Sequence, residues 1–590
     1  MEFLQRTELK IKNSDLTVIF KSVHRISGLS EGLFKALGWL IRMLRTGFQL
    51  RQFERSISCK LCGIALQIKS PKLSGYYLKP KPKQKAKAST LEDVKYLLFG
   101  QDMHRIKEKS SLPSRSDVIS KFDDRPTCKR CFDAQNQNEY SLEEFQSQTF
   151  KDISKYIPQC ASIYHVVPMV DFPLNVDKIL LENKENTNYL LLSKGDQIMA
   201  QSSTLAQPTQ EFFHEYFKKH LGINLKKVVA FSSPKNWNIA IVNSALSKES
   251  YFVGHPNAGK SSLINALIKN NPCMGYRMEE DKPTAELNTE SLGPDKMSRR
   301  KHYLLNKAGV SYLPNFTRSI QSYSFGNKVV HDLPGYMDDI DSAAYDRIIA
   351  KNFLQRIRKT AGFDTSKLKK QSYVSITGSE EGRCLTISGL IYLVPPPGTV
   401  NQVISYIPGR IAKYHNFEKG LEVIKNVNVN ESHPQAQFVE VTKVLTEKAE
   451  FVRHIIPPFR GSIEIVFKDI GYLQLRSTGK YEFKGLYEIW VPKAIKVCVR
   501  EPLKKLIEQS HHEYKESKGK TPLISRNRVI FSSTYPMSPT EDATLDKIRD
   551  MFLERTKKDT MARKQLNSDP IATLSKKELA TRNLYWYYVW

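Results

Sequence analysis

The sequence predicts an α/β fold built on a mostly parallel sheet flanked by helices, and three patterns predict it. First, a short apolar run precedes a glycine-rich loop at 254–261, and helical apolar spacing follows that loop. Second, a β-branched pair leads into Asp-Leu-Pro-Gly at 332–335. Third, the apolar run 188–192 leads into Ser-Lys-Gly-Asp at 193–196. Strands that alternate with loops and helices in this way indicate a mostly parallel sheet with helices on its faces.

Residues 254–261 read Gly-His-Pro-Asn-Ala-Gly-Lys-Ser, which is a complete phosphate-binding P-loop pattern between a strand and a helix. Such a loop directs backbone N–H groups and the positive end of the helix toward a polyphosphate. We expect Lys260 to reach the β- and γ-phosphates and the Ser261 hydroxyl to ligate Mg²⁺. The predicted nucleotide contacts in this loop are Gly254, Asn257, Ala258, Gly259, Lys260, Ser261 and Ser262.

Two downstream segments complete the predicted Mg²⁺ site. Asp332 is expected to hold the ion through water, and the N–H of Gly335 is expected to sense the γ-phosphate. Within Pro-Asn-Phe-Thr-Arg at 314–318, Thr317 is predicted to be the switch threonine that completes the metal shell, with Ser319 as its competitor. The predicted catalytic residues are Lys260, Thr317 and Gly335.

Ser193-Lys194-Gly195-Asp196 is predicted to read a guanine base. The usual motif is Asn-Lys-x-Asp, whose aspartate accepts hydrogen bonds from guanine N1 and N2, which adenine cannot supply. Lys194 and Asp196 are retained, whereas Ser193 replaces the asparagine and is expected to affect nucleotide affinity more than guanine preference. A second loop contains Ser232 and Ser233, where small residues allow backbone N–H groups to contact guanine O6.

Both base-reading segments lie before the P-loop in this chain, whereas in an ordinary small GTPase the base motif follows the P-loop. This order arises when the original termini of a G domain are joined and the chain is reopened elsewhere. The sequence therefore predicts a circularly permuted P-loop G domain at 145–345 that binds GTP with Mg²⁺. A small zinc-binding module precedes it at 56–140, and an α+β domain follows at 346–590.

Two residues of the predicted site bear on hydrolysis. Tyr336 stands where many signalling GTPases place a water-orienting glutamine. A tyrosine cannot orient that water in the same way, so we expect slow intrinsic hydrolysis that a partner or an ion accelerates. Asn257 has two equally weighted interpretations, a K⁺ ligand as in related GTPases or a tight-turn residue. The sequence offers no obvious general base, so positioning and charge neutralisation are expected to carry the reaction.

Two Cys-x-x-Cys pairs predict a tetrahedral Zn²⁺ site formed by four thiolates. Its predicted ligands are Cys59, Cys62, Cys128 and Cys131. The interval between the pairs exceeds that of a usual zinc ribbon, and it contains a Lys/Pro-rich insert at 79–90 that we expect to be extended and solvated. Disulfide bonds are the weaker alternative, because the chain is large and its other cysteines are scattered.

The formal net charge of the 590-residue chain is +29, which favours a polyanionic partner such as RNA. The alternative is that the charge reflects only the basic character common among mitochondrial matrix proteins. No run of eighteen apolar residues is present, so we expect no transmembrane segment.

Residues 1–55 are predicted to be a mitochondrial targeting segment. Between Phe34 and Phe53 there are several basic residues and no acidic one, and the apolar residues can share one helical face. Acidic residues nearer Met1 are atypical of such signals, which leaves a start at Met43 as a hypothesis. Without import, the same stretch is an amphipathic surface helix.

The C-terminal half is predicted to bind RNA or another partner. Its short strand-like runs are joined by turns that contain glycine and lysine. Basic and aromatic residues suited to RNA backbone and base stacking alternate in one stretch, namely Arg476, Lys480, Tyr481, Lys484 and Tyr487. A solvated strand face is an equally good interpretation of these residues.

The cysteine pairs with Gly63, Gly75-Tyr76-Tyr77 and Arg130, followed by the inverted motif order, resemble the YqeH-like circularly permuted GTPases. Segments at 308–311, 461–466 and 585–590 are similar to a fungal mitochondrial branch of that family. The resemblance covers nearly the whole chain. It departs from the family in the degenerate base motif and in the lysine-rich insertion.

This resemblance implies a mitochondrial matrix GTPase that assists assembly of the small ribosomal subunit and maturation of its rRNA. It also implies a functional link to prohibitins and to membrane lipids. The alternative function is a nucleotide-gated scaffold with peripheral membrane contact near the inner membrane. The amphipathic leader and the weakened base motif support this alternative.

Overall fold

The computed structural model describes much of the chain from Ser58 to Asp546. The described ranges are 58–71, 73–77, 126–134, 148–177, 181, 185–271, 275–279, 282–283, 303, 306–311, 315–337, 344–359, 373–430, 432–456, 459, 461–478, 485–524, 531–540 and 545–546. Several sequence-based predictions concern residues outside these ranges: the targeting segment 1–55, the insert 79–90, Lys480, Tyr481, Lys484 and the terminal segment 585–590.

The first half of the described chain forms one eight-stranded sheet in the order β3-β2-β1-β4-β8-β7-β5-β6. Its strands are β1 Ser162–Pro168, β2 Thr187–Ser193, β3 Lys227–Ala230, β4 Glu249–Val253, β5 Gly275–Glu279, β6 Lys282–Pro283, β7 Gln321–Phe325 and β8 Lys328–Asp332. The strands from β3 to β8 in that order are parallel, and β7, β5 and β6 extend the sheet in antiparallel fashion. The predicted mixed α/β architecture with a parallel sheet is confirmed.

Both faces of the parallel strands are covered, which explains their continuous apolar sequences. Leu190 and Leu192 of β2 pack in one cluster with Phe213, whereas Leu191 packs in a second cluster with Leu263. This alternation follows from the two-residue period of a strand. The α-helices are α1 Lys129–Phe132, α2 Phe150–Ser154, α3 Ser202–Leu205, α4 Gln207–Tyr216, α5 Ile239–Ala245, α6 Lys260–Asn270, α7 Ala344–Ile348, α8 Lys351–Arg358, α9 Phe417–Val429 and α10 Leu503–Glu516.

The second half contains two six-stranded antiparallel sheets that contribute to one hydrophobic core. Their orders are β13-β10-β11-β17-β14-β20 and β19-β18-β15-β16-β12-β9. The strands are β9 Val374–Thr377, β10 Cys384–Ile387, β11 Ile391–Val394, β12 Val400–Ser405, β13 Ile411–Tyr414, β14 Phe451–Ile456, β15 Ser462–Phe467, β16 Gly471–Thr478, β17 Tyr487–Pro492, β18 Val497–Arg500, β19 Phe531–Ser533 and β20 Tyr535–Met537.

The prediction that Tyr487 offers a ring for base stacking is wrong. Tyr487 is fully buried in the core shared by the two antiparallel sheets, and its hydroxyl donates to Asn401 Oδ1 at 2.8 Å. Arg476 is exposed on β16, so a contact with RNA phosphates remains open to it. Arg476 and Tyr487 lie on different strands, β16 and β17, and of the two only Arg476 is exposed.

A buried arginine joins the two halves. Arg500 is fully buried and donates from Nε to Glu464 Oε2 at 2.7 Å. Its Nη1 donates to the main-chain oxygens of Met169 at 3.0 Å and Phe172 at 2.7 Å, which follow β1 in the first half. Burial raises the pKa of Glu464, and the Arg500 charge opposes that rise. The guanidinium thus satisfies a buried carboxylate and two carbonyls across the contact.

The same contact reaches the predicted base-reading loop. Tyr472 on β16 donates its hydroxyl to the carbonyl of Gln197 at 3.2 Å. The main-chain N–H of Asp469 donates to Asp171 Oδ1 at 3.1 Å. Burial, with the nearby Asp469 carboxylate, raises the pKa of Asp171 to about 7. The second half of the chain therefore contacts the loop that carries Asp196 through the hydrogen bond from Tyr472 to Gln197.

Replacing Arg500 with methionine removes the partner of a buried carboxylate. We expect the free energy of unfolding to fall by about 3–5 kcal/mol, as for other buried pairs that lose one member. A denaturant titration, monitored by circular dichroism, measures the free energy of unfolding. Arg383→Met, at an exposed position, is the matched control and should change the value by less than about 0.5 kcal/mol. The double variant Arg500→Met/Glu464→Met should recover the part of the loss that is due to the unpaired Glu464 carboxylate, and an unchanged stability in the single variant would contradict the assignment.

Candidate nucleotide and metal sites

The P-loop lies between the end of β4 and the start of α6, where its sequence predicted it. Gly259 adopts φ +102°, a conformation that side-chain-bearing residues rarely adopt. A Cβ at Gly254 would lie 2.5 Å from the carbonyl oxygen of Val166, so the loop passes too close to β1 for any side chain there. Backbone N–H groups at the start of α6 are the orphan donors that bind phosphate in such loops.

The three predicted Mg²⁺ ligands converge beside this loop. Ser261 Oγ donates to Asp332 Oδ2 at 2.7 Å and lies 3.5 Å from Thr317 Oγ1. Asp332 is 1 % exposed, and its Oδ1 has no hydrogen-bond partner within the described part of the chain. Burial raises its pKa to about 6, although the Lys260 charge opposes the rise. Two hydroxyls and a buried carboxylate are hard oxygen ligands of the kind that Mg²⁺ requires.

Lys260 lies buried over its own loop. Its Nζ donates to the carbonyls of Gly254 at 2.7 Å and His255 at 3.1 Å. Burial lowers its pKa to about 8, and the Asp332 carboxylate opposes this shift. Gly335 is close by, since a Cβ there would lie 2.9 Å from Pro256 Cα. The structure therefore brings Lys260, Asp332 and the backbone of Gly335 to one side of the P-loop.

The predicted base-reading aspartate is buried, and one of its carboxylate oxygens has no hydrogen-bond partner among the described residues. Asp196 lies in the one-turn helix Gly195–Gln197 and is 3 % exposed. Its Oδ1 has no hydrogen-bond partner among the residues that the structure describes. Leaving a buried carboxylate oxygen unpaired is costly, so this atom is suited to accept hydrogen bonds from a ligand. The N1 and N2 groups of guanine would provide such donors.

The serine that replaces the usual asparagine ties the base loop to the P-loop. Ser193 Oγ donates to the carbonyl of Ala258 at 2.5 Å. The N–H of Gly195 donates to the carbonyl of Phe231 at 3.0 Å, which joins the base loop to the second predicted base contact. Ser232 is fully buried there, and its Oγ accepts from the N–H of Lys235 at 3.3 Å. Ser233 is half-buried beside it.

Tyr336 is a packing residue in this structure. It is buried in a cluster beneath β1 and β4, and its ring centroid lies 5.6 Å from that of Phe150 and 5.2 Å from that of His255. Its hydroxyl donates to Asp177 Oδ2 at 3.4 Å. The tyrosine therefore anchors the chain after Gly335 against the P-loop, and its sequence position alone did not reveal this role.

The four predicted zinc ligands form one buried cluster. The Sγ atoms of Cys59, Cys62, Cys128 and Cys131 all lie within 4.8 Å of one another, and none of the four is in a disulfide. The N–H of Cys128 donates to Cys59 Sγ at 3.3 Å, and Arg130 Nη2 lies 3.6 Å from Cys131 Sγ. N–H donors around a thiolate cluster favour its charge. The residues present fit a tetrahedral Zn²⁺ site.

Family models match three parts of the chain. The model described as "Genetic interactor of prohibitins 3 N-terminal domain" matches residues 58–145, and the model described as "Genetic interactor of prohibitins 3, C-terminal domain" matches 371–576. A third model, described as "50S ribosome-binding GTPase", matches 249–293, which includes the P-loop. A GTPase-type domain thus lies between the two other matches.

Whole-chain relatives carry one common name. "Genetic interactor of prohibitins 3, mitochondrial" of Zygosaccharomyces rouxii is 44% identical over 537 residues, which cover 91% of this chain and 94% of the relative. The protein so named in Kluyveromyces lactis is 44% identical and covers 92% and 98% of the two chains. Among solved structures, the GDP-bound structure of TM YlqF is 16% identical and covers 32% of this chain and 59% of its own, with a TM-score of 0.18, too low to support an inference.

Replacing Cys59 with serine removes one of four thiolates from the cluster. We expect the zinc content of the purified protein to fall from about one ion per chain to nearly none, because three thiolates bind zinc far more weakly than four. Inductively coupled plasma mass spectrometry measures it. Cys384→Ser is the matched control, since Cys384 is equally buried but lies on β10 in the other half. Equal zinc content in both variants would contradict the site.

Proposed function

This chain belongs to the genetic interactor of prohibitins 3 family, and we propose that it is a mitochondrial GTP-binding protein with slow GTPase activity. It acts in assembly of the small ribosomal subunit and maturation of its rRNA. The observation that carries the proposal is that two buried carboxylates lie at the same edge of the parallel sheet, and each has one oxygen without a hydrogen-bond partner among the described residues. Asp196 is suited to a guanine base, and Asp332 is suited to the Mg²⁺ that accompanies a triphosphate.

The chain's own groups divide the work of holding the nucleotide. Asp196 and Lys194 read and cover the base, while the Ser193 bond to Ala258 holds that loop in register with the phosphate site. Lys260 exchanges its two carbonyl acceptors for phosphate oxygens when the triphosphate binds. Ser261, Thr317 and Asp332 hold the Mg²⁺, which supplies charge neutralisation to the phosphates.

Slow hydrolysis follows from the residue that succeeds Asp-Leu-Pro-Gly. Tyr336 packs against Phe150 and His255 and holds its loop instead of orienting a water molecule. Acceleration then comes from a partner or from an ion such as K⁺ beside Asn257. Asn257 adopts a positive φ of 58° in the P-loop, which suits both the ion-ligand and the tight-turn interpretations.

The ribosomal part of the proposal is supported by charge and by the GTPase family model. The net charge of +29 favours a polyanionic partner, and Arg476 is exposed on a sheet of the second half. The family model is described as "50S ribosome-binding GTPase", which names the large subunit. The resemblance to YqeH-like proteins implies the small subunit instead, and we propose the small subunit.

A mitochondrial location is supported by the names of the relatives, which include the word mitochondrial, and we propose the matrix as the compartment. No helix in the described ranges is long and apolar enough to cross a membrane. The relatives' name favours a second candidate function, a nucleotide-gated scaffold in prohibitin-linked or lipid-linked membrane organisation. In that case the protein would contact the membrane peripherally and the ribosome would not be its partner.

Replacing Asp196 with asparagine tests guanine recognition. We expect the affinity for GTP to fall about 100-fold, because the amide nitrogen faces the guanine donors with a donor of its own. Xanthosine triphosphate has a carbonyl oxygen, an acceptor, where guanine has its N2 amino group. It should therefore bind the variant more tightly than it binds the unaltered protein. Isothermal titration calorimetry measures both, with ATP as the control ligand. Equal affinities for GTP and ATP in the unaltered protein would refute the proposed base site.

Co-sedimentation with mitochondrial ribosomal subunits tests the partner. With a non-hydrolysable GTP analogue, the protein should sediment with the small subunit, and the bound fraction should fall as salt rises. Lys260→Ala should lose the nucleotide dependence, because the phosphates lose their main cationic contact. Sedimentation with the large subunit alone would contradict the small-subunit assignment. No association with either subunit at low salt would favour the scaffold function.

A further inference from the structure

The cysteine cluster lies directly against the segment that carries the candidate switch threonine. We define the zinc knuckle as residues 59–62 with 128–131, and the switch segment as residues 315–319. The N–H of Arg318 donates to the carbonyl of Cys62 at 3.1 Å. Phe316 is 5 % exposed and belongs to the same packed cluster as the four cysteines. The knuckle therefore contacts the residues on both sides of Thr317, Phe316 and Arg318.

The knuckle is itself fixed to the body of the nucleotide-binding half. Arg277 on β5 donates from Nη1 to the carbonyl of Lys60 at 2.9 Å, and Gln321 on β7 donates to the carbonyl of Leu61 at 3.3 Å. A Cβ at Gly309 would lie 2.3 Å from the Leu61 oxygen, so the two backbones are in close contact there. Three successive carbonyls of the knuckle thus face donors or backbone of the sheet and its loops.

Gly309 is in turn tied to the P-loop helix. Asn265 on α6 donates from Nδ2 to the carbonyl of Ala308 at 3.1 Å and accepts from its N–H at 2.7 Å. A continuous set of contacts therefore runs from the helix that begins at Lys260, through the knuckle, to Phe316. At the end of this set, Thr317 Oγ1 lies 3.5 Å from Ser261 Oγ on that same helix.

We propose that the metal-loaded zinc knuckle positions Thr317 for Mg²⁺ and thereby couples zinc occupancy to the binding of GTP over GDP. The inference rests on the proposed function, because it assigns a role to Thr317 in that nucleotide site. A four-thiolate knuckle of this size folds only around its metal, so the grip on the switch segment exists only when zinc is bound.

The coupling is selective for the triphosphate. A switch threonine contacts Mg²⁺ when the γ-phosphate is present and is released when it is absent. Phe316 and the N–H of Arg318 hold Thr317 near Ser261 in advance, which lowers the ordering cost of binding GTP and leaves GDP binding unaffected. By linkage, GTP must tighten the hold of the knuckle on its zinc by the same factor. Phe316 is accordingly a positioning residue and not a catalytic one.

The first test compares two buried phenylalanines in the full chain. Phe316→Ala removes the ring that fixes the switch segment, and Phe417→Ala removes an equally buried ring on α9 in the other half. We expect Phe316→Ala to weaken binding of a non-hydrolysable GTP analogue about tenfold in the presence of Mg²⁺, with GDP affinity changed by less than about twofold. Phe417→Ala should change neither affinity. Fluorescence titration measures the affinities. An equal loss for both nucleotides, or no loss for either, would overturn the inference.

The second test uses the unaltered protein and stands even if a variant fails to fold. A metallochromic chelator competes for the zinc at equilibrium in the presence of Mg²⁺ with the GTP analogue, with GDP, or with no nucleotide. The zinc affinity of the protein should be about tenfold higher with the analogue than with GDP, because linkage makes the coupling of the two binding free energies reciprocal. Equal zinc affinities, with both nucleotides bound, overturn the coupling but leave the proposed function intact. Failure to bind either guanine nucleotide would overturn both.

Discussion

Parallel pairing of five strands, in the order β3-β2-β1-β4-β8, is the constraint on which the candidate site depends. Tyr164 on β1 pairs with Tyr189 on β2 and with Phe252 on β4, and β4 pairs in parallel with β8. Parallel strands end at the same edge of a sheet, so the loops that follow them meet there irrespective of their order in the chain. The hydrogen bonds between strands depend on strand direction and register and do not depend on the order in which the chain connects the strands. A permuted order of motifs therefore assembles one site.

The parts of this site that could be predicted from sequence are those fixed by short-range chemistry. Gly259 is needed for a positive φ, Lys260 and Ser261 follow it at the start of a helix, and Asp332 ends a strand. Each depends on a few neighbouring residues, and strand–loop–helix context raises the weight of each pattern. The cysteine pairs were predictable for the same reason, since two residues separate the ligands within each pair.

The other features depend on contacts between residues far apart in the chain. Arginine is rarely fully buried, so nothing near Arg500 indicated that it would bridge Glu464 and two carbonyls of the other half. The packing of Phe316 among the cysteines joins segments separated by most of the nucleotide-binding half. The prediction for Tyr487 was wrong because the burial of its ring depends on packing against distant strands, which the neighbouring residues do not indicate. In the sequence, Ser193 removes the side-chain contact that the usual asparagine makes. In the structure, its hydroxyl donates a hydrogen bond to the P-loop carbonyl of Ala258.

The way the knuckle docks has an evolutionary consequence. Lys60, Leu61 and Cys62 are contacted through their main-chain oxygens, which every amino acid possesses. Substitution at a position such as Lys60 can therefore accumulate over time without weakening that attachment. Selection acts more strongly on the residue that packs against these carbonyls, Gly309, because the Leu61 oxygen leaves no room for even a methyl group there. Divergent members of such a lineage would keep the glycine and vary the residue at the position of Lys60.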